Sequence, residues 1–210
     1  MGRAALVGFA LAAALDLGSL LAGWGPGHVI AKPLLMPLLL GYAHTRGAPR
    51  LLTAALALGW CGDLALLLDA EAAFLAGMGC FAAGHVCYLV LLGRRPGHPT
   101  AGPAYAVALV ATVTALWGDL PAGLRVPVAA YSLLLTAVAA RSTALGLRAG
   151  AGGALFLLSD TLIAMDVAGW PQPFRPGFWV MATYLAAQYL LVTGVLGAGG
   201  RRTVDPVIQS

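Results

Sequence analysis

The sequence predicts an all-α, polytopic membrane bundle of eight transmembrane helices with both termini on the cytoplasmic side. Three observations predict it. First, hydrophobic residues make up 60% of the 210 and charged residues only 10%, with a mean hydropathy of +0.86. A water-soluble domain cannot hide that much apolar surface, whereas a bilayer is a solvent in which it need not be hidden. Second, the apolar residues fall into eight runs, near 4–23, 29–44, 51–68, 72–92, 103–118, 122–140, 150–168 and 177–197. Several approach the ~20 residues that cross ~30 Å of hydrocarbon, and the second and fifth are short. Their Ala, Leu and Gly content, without period-two alternation, favours helices over barrel strands. Third, if eight helices alternate, Arg3, Arg46, Arg50, Arg94, Arg95, Arg141, Arg148, Arg201 and Arg202 fall on one side. Only Arg125 and Arg175 fall on the other, with Asp69, Glu71, Asp119 and Asp166. Lys and Arg are retained in cytoplasmic loops, which puts both termini inside. The net charge of +4 then serves topology. A nucleic-acid partner would need the basic residues gathered on one folded face, so none is expected.

Taken in order, the first run holds Asp16 and lacks a small-x-small cleavage site before Trp24, so it reads as a retained helix and not a signal peptide. The second, AKPLLMPLLL (31–40), carries Lys32, the single lysine of the chain, followed by Pro33 and Pro37. Prolines remove backbone donors and free carbonyls, here expected to line a polar cavity or simply to kink the helix. The third run carries Asp63, and Asp69 follows its last residue. The fourth carries Phe81, His85 and Tyr88 at i, i+4, i+7, on one face. The fifth and sixth are apolar spans. The seventh opens on glycines 150–153, read as close helix packing, and carries Asp160. The eighth carries Tyr184 and Gln188, one turn apart. Cys61, Cys80 and Cys87 are odd in number and lack a CxxC, so they read as small core residues rather than disulfides. The tail 201–210 is polar and expected to fray.

An internal repeat is legible. LALGWCGDLALLLD (56–69) and GALFLLSDTLIAMD (153–166) each place a small residue before an Asp and a second Asp six positions later, pairing Asp63 with Asp160 and Asp69 with Asp166. FAAGH (81–85) and YLAAQ (184–188) follow in the next helix of each half. The chain then divides into parallel repeats, 1–97 and 98–200, within one integral membrane domain, with sites expected where the halves meet. Asp63 lies five residues before the end of its run and Asp160 eight, so both sit roughly 8–12 Å below the outer interface. Lys32 and Asp16 fall at comparable depth. Intramembrane charges cost on the order of 2.5–3.5 kcal/mol each and so pair or line a cavity. One lysine can neutralise only one of two aspartates, which favours function over a structural salt bridge.

His85 has a bland alternative as a hydrogen-bonded core residue, and Tyr184 and Gln188 as interhelical glue. Other chemistries find no support. There is no HExxH, and His28, His44, His85 and His98 have no metal-ligand spacing, so no metal is expected. Ser159 lacks a GxSxG setting and an evident histidine partner. Carboxylate chemistry remains.

With KPLLMPLLL, GD (62–63), FAAGHVCY (81–88), GALFLLSD (153–160) and YLAAQYL (184–190) in this order, the chain resembles the YhhN-like lysoplasmalogenase family. The resemblance implies hydrolysis of the vinyl-ether bond of lysoplasmalogens, giving a fatty aldehyde and a glycerophospho-base, with no metal or organic cofactor. It implies a lysophospholipid substrate and contact with membrane lipids. Headgroup preference and oligomeric state are left open. An acid and a carboxylate flanking a developing oxocarbenium ion suit this reaction, as in glycosidases. Two close carboxyls in low dielectric cannot readily both ionise, so Asp63 and Asp160 are the expected catalytic pair. Lys32 either holds the lipid phosphate or tunes the pair, with His85, Tyr88, Tyr184 and Gln188 as candidate substrate-binding or tuning residues. A proton-coupled transporter and a purely structural membrane protein are the alternatives. Arginine in place of lysine, with abundant Ala and Gly, points to a bacterial plasma membrane.

Overall fold

A computed structural model describes residues 1–94 and 97–202. Arg95 and the tail beyond Arg202 lie outside the described residues. Among the described residues eight α-helices follow in order: α1 Gly2–Ala22, α2 Gly25–Thr45, α3 Arg50–Ala65, α4 Glu71–Leu92, α5 Ala101–Leu116, α6 Ala122–Ser142, α7 Leu147–Val167 and α8 Pro176–Arg202. A single 3₁₀ turn, Thr143–Leu145, joins α6 to α7. Among the described residues there is no strand. The helix ends lie within about five residues of the ends of the apolar runs, and α3 stops at Ala65 with Asp63 in its last turn.

Five helices, α1, α4, α6, α7 and α8, are long and apolar enough to cross a membrane. The burial pattern agrees with a lipid surrounding. Val7, Leu11, Ile30, Val90, Val107, Val126 and Leu133 face outward, while Asp16, Lys32, Asp63, His85 and Gln188 are buried. Apolar side chains outside and ionisable ones inside invert the arrangement that water selects. The protein is a multi-pass membrane protein.

Helices α1, α2, α3, α4, α6, α7 and α8 form a closed ring, each packing on the next and α8 returning to α1. Helix α5 stands outside the ring, mainly against α6, and buries only Leu116. The glycines of α7 do what their clustering suggests. A Cβ on Gly152 would lie 2.8 Å from the Leu191 nitrogen and 3.0 Å from the Ala187 oxygen, so α8 approaches here at backbone distance. A Cβ on Gly153 would lie 2.8 Å from the Ala139 Cα of α6. The cysteines are free; Cys61 is exposed and Cys80 and Cys87 are half-buried. The expectation of core cysteines therefore fails for Cys61, because an outward-facing thiol is as compatible with lipid as with a core.

Helix α2 runs unbroken through Pro33 and Pro37. In an α-helix the carbonyl of residue 33 accepts from the N–H of residue 37, and proline has none. The Pro33 carbonyl is instead taken by Trp60 of α3, whose Nε1–H donates to it at 2.9 Å. This carbonyl therefore joins two helices and does not line the cavity expected from the sequence. Trp60→Phe should lower the thermal midpoint in detergent, by an amount equivalent to about 1–3 kcal/mol for the orphaned carbonyl. In the Pro37→Ala background, where an N–H is restored, the same change should cost much less. Equal losses in the two backgrounds would contradict the assignment.

Candidate active site

A cavity, with about 1000 Å³ of empty space that includes its opening to the surroundings, lies between α3, α4, α6, α7 and α8, with Lys32 of α2 in its wall and α5 along one side. Its walls are mostly apolar, with Leu66, Phe74, Met78, Leu116, Leu120, Val128, Leu135 and Ile163 among them. Its polar lining is concentrated in Lys32, Asp63, Tyr131, Ser132, Ser159, Asp160, Thr161 and Tyr184, with Arg125 further along α6.

The two aspartates thus meet in one cavity, from residues 97 positions apart in the chain. Each carboxylate accepts from a tyrosine hydroxyl. Tyr184 of α8 donates to Asp63 Oδ2 at 2.7 Å, and Tyr131 of α6 donates to Asp160 Oδ2. Asp63 is 2% exposed, so its remaining oxygen has the cavity as its only outlet.

The small residue before each aspartate has a local reason. A Cβ on Gly62 would lie 2.6 Å from the Phe81 ring, which packs flat on that helix face. Phe81 stacks edge-on to Tyr184 and Phe156, at centroid distances of 5.9 and 6.4 Å, and Phe156 does the same to Tyr184 at 5.5 Å. This aromatic block fixes the ring that carries the Asp63 donor. Ser159, the counterpart of Gly62, donates its hydroxyl to the Val180 carbonyl at 3.1 Å and ties α7 to α8. That bond occupies the hydroxyl that a serine nucleophile would need.

The remaining candidates from the sequence stand behind the cavity wall. Tyr88 donates to Gln188 Oε1 at 3.3 Å, Gln188 Nε2 donates to the Tyr184 oxygen at 3.4 Å, and Tyr184 donates onward to Asp63. All three groups are buried. The chain of donors fixes the direction of the Tyr184 hydroxyl toward Asp63. His85 donates from Nδ1 to the Phe81 carbonyl at 2.7 Å and packs edge-on to Phe156 and Tyr131. Its Nε2 is buried with no hydrogen-bond partner among the described residues. These side chains support the tyrosines and do not line the cavity.

Lys32 is 7% exposed and lines the cavity. Among the described residues no carboxylate lies within 4.0 Å of it, so the simple salt bridge is absent. Asp16 does not join the cavity. It is fully buried and paired with His28 Nδ1 at 2.7 Å, within the α1–α2 hairpin. Sequence reasoning missed three residues: Tyr131, His28 and Arg125. The first two are single polar groups in apolar helices whose partners lie on other helices, and Arg125 was absorbed by the topology count.

The family model described as the YhhN family matches residues 27–195. The chain belongs to the YhhN family. The matched stretch contains Lys32, Asp63, Tyr131, Asp160 and Tyr184, and leaves Asp16 outside. Among curated relatives, lysoplasmalogenase TMEM86B of Rattus norvegicus is 33% identical over 182 residues, covering 86% of this chain and 77% of the relative. Lysoplasmalogenase TMEM86B of Homo sapiens is 35% identical over 150 residues, covering 71% and 65%. Lysoplasmalogenase TMEM86A of Bos taurus is 27% identical over 163 residues, covering 72% and 68%. No solved structure matches the chain.

Lys32 and Asp63 should be energetically coupled through the cavity. Lys32→Met and Asp63→Asn should each lower the thermal midpoint in detergent, and the double variant should lose less than the sum. A coupling of about 0.5–3 kcal/mol is expected for charges in one network. Simple additivity would show that Lys32 acts elsewhere.

Proposed function

We propose that this protein is a lysoplasmalogenase-type hydrolase, cleaving the vinyl-ether bond of a lysophospholipid with Asp63 and Asp160. The observation that carries it is the pair itself: a buried Asp63 and a half-buried Asp160, each held by a tyrosine, opening on one apolar cavity that a single lysine also lines. The names of the curated relatives support the reaction class. A proton-coupled transporter has no comparable support.

The chemistry follows from the substrate. A carboxylic acid protonates the alkene carbon remote from the ether oxygen, leaving an oxocarbenium ion. Water adds to the carbon bonded to oxygen and gives its proton to the carboxylate. The hemiacetal then collapses: its hydroxyl proton leaves, the carbon–oxygen bond to glycerol breaks, and that oxygen takes a proton. One water is consumed, and a fatty aldehyde and a glycerophospho-base are released. On this proposal Lys32, which lines the same cavity from the Asp63 half of the chain, keeps Asp63 as the carboxylate and leaves Asp160 as the donor. The acid and carboxylate roles are the ones that paired carboxyls play around oxocarbenium ions in glycosidases. The apolar walls hold the alkenyl chain, each buried methylene adding about 0.8 kcal/mol.

The same proposal includes eight spans with both termini inside, in a bacterial plasma membrane, and two parallel four-helix repeats. Support for the repeats comes from AKPLLMP (31–37) and AYSLLLT (130–136), which align Lys32 with Tyr131. Each then sits beside the aspartate of its own half, while Phe81 and Tyr184 occupy matching positions in α4 and α8.

Purified protein in detergent, with no gradient, should release fatty aldehyde from lysoplasmenyl ethanolamine and none from the acyl-ester analogue. Asp63→Asn and Asp160→Asn should each reduce turnover by roughly 10²–10⁴-fold while keeping the wild-type elution profile. Unaltered turnover in either variant would remove that residue from the pair, and no aldehyde from the wild type would refute the activity.

A further inference from the structure

Arg125 is unexplained by the chemistry above. It lies in the first turn of α6, half-buried, on the helix face that also carries Val128, Ser132 and Leu135 into the cavity. Its guanidinium is fixed on one side. Nε donates to the Leu120 carbonyl at 3.1 Å, and Nη2 donates to the Gly118 carbonyl at 3.1 Å. Among the described residues no carboxylate lies within 4.0 Å. The nearest acid in sequence, Asp119, accepts instead from Trp170 Nε1 at 2.7 Å. Nη1 and the second hydrogen of Nη2 are thus presented, without a counter-charge, at the end of the cavity where α3, α5 and α7 finish and α4 and α6 begin. A guanidinium held by backbone carbonyls is already ordered, so little entropy is lost when it takes an anion.

We propose that Arg125 is the anchor for the phosphate of the substrate headgroup, seated at the cavity mouth while Lys32 serves the aspartates deeper in. This rests on the lipid-hydrolase reading of the cavity. Spacing agrees with it. Tyr131, which holds Asp160, is six residues beyond Arg125 in α6, or about 9 Å along the helix axis at 1.5 Å per residue. In a lysoplasmalogen seven bonds separate phosphorus from the carbon to be protonated. Three backbone bonds span at most ~3.3–3.6 Å, so seven reach roughly 8 Å. A phosphate on Arg125 therefore leaves the vinyl ether at the depth of the aspartates. The bound species is a phosphomonoester or phosphodiester, and a free phosphate shares that chemistry.

The test compares lysoplasmenyl ethanolamine with 1-alkenylglycerol, which has the vinyl ether and no phosphate. Wild-type protein should prefer the phospholipid in KM. Arg125→Gln should collapse that preference by roughly 10- to 100-fold, the worth of a charge-assisted hydrogen bond, with Arg125→Lys intermediate. An equal fall for both substrates would show that Arg125 only braces the α5–α6 turn and would overturn the proposal. A second arm needs no turnover. Lysophosphatidylethanolamine should raise the thermal midpoint of the wild type more than monoacylglycerol does, and Arg125→Gln should lose the difference. If the wild type cleaves no vinyl ether, the hydrolase reading falls and this arm alone decides the anchor: a retained difference in Arg125→Gln overturns it. Protection of the wild type by inorganic phosphate as strong as by the lipid would mark a free-anion site and also overturn the headgroup assignment.

Discussion

The cost of an ionisable group inside an apolar bundle is the constraint on which the rest of this structure depends. Hydrocarbon offers no hydrogen bonds, so a polar atom brought inside gains most from a partner on its own helix, on another helix or in a cavity. The answers are visible one by one. His28 takes Asp16, Trp60 takes the carbonyl that Pro37 leaves free, Ser159 takes the Val180 carbonyl, and two tyrosines take the two aspartates. Each of these bonds joins two different helices. Polar groups therefore fix which helices meet and in what register, while the outward valines and leucines fix only that the bundle lies in lipid.

The aspartate site differs from the other answers in being incomplete on purpose of its geometry: its groups are held from behind and open in front. Tyr88, Gln188 and Tyr184 form a one-way chain of donors ending on Asp63, and the ring block of Phe81, Phe156 and Tyr184 prevents that chain from turning away. Asp160 has the simpler support of Tyr131, backed by His85. Under the proposed mechanism, carboxyls with unlike neighbours, Asp63 sharing its half of the chain with Lys32 and Asp160 with Tyr131, are the arrangement that lets a matched pair divide the work of acid and carboxylate. Under the repeat proposal, the asymmetry arises because Lys32 and Tyr131 occupy the same position in the two halves.

How much of this was legible in the sequence depended on range. Helix positions were readable because hydropathy is local and the bilayer sets the length. Asp63, Asp160 and Lys32 were readable because a charge in an apolar run has few innocent explanations. Tyr131 was not. A tyrosine in a leucine-rich helix is ordinary until the aspartate 29 residues later in the chain is seen beside it. The alignment of AYSLLLT with AKPLLMP was the available signal. Similarly, nothing local distinguishes His85, Tyr88 and Gln188 as second-row supports from residues that face a ligand, because the face of a helix is known from sequence but its neighbour is not.

Isotope labelling tests the central claim most directly: that an acid protonates carbon and a carboxylate delivers water. Hydrolysis of lysoplasmenyl ethanolamine in D₂O enriched in ¹⁸O, with the aldehyde trapped as it forms, fixes the position of each new atom. Carbon protonation places one deuterium next to the aldehyde carbon and ¹⁸O in the aldehyde before exchange, with none in the glycerophospho-base, and slows turnover in D₂O. Aldehyde without deuterium, or ¹⁸O in the glycerol product, would contradict it.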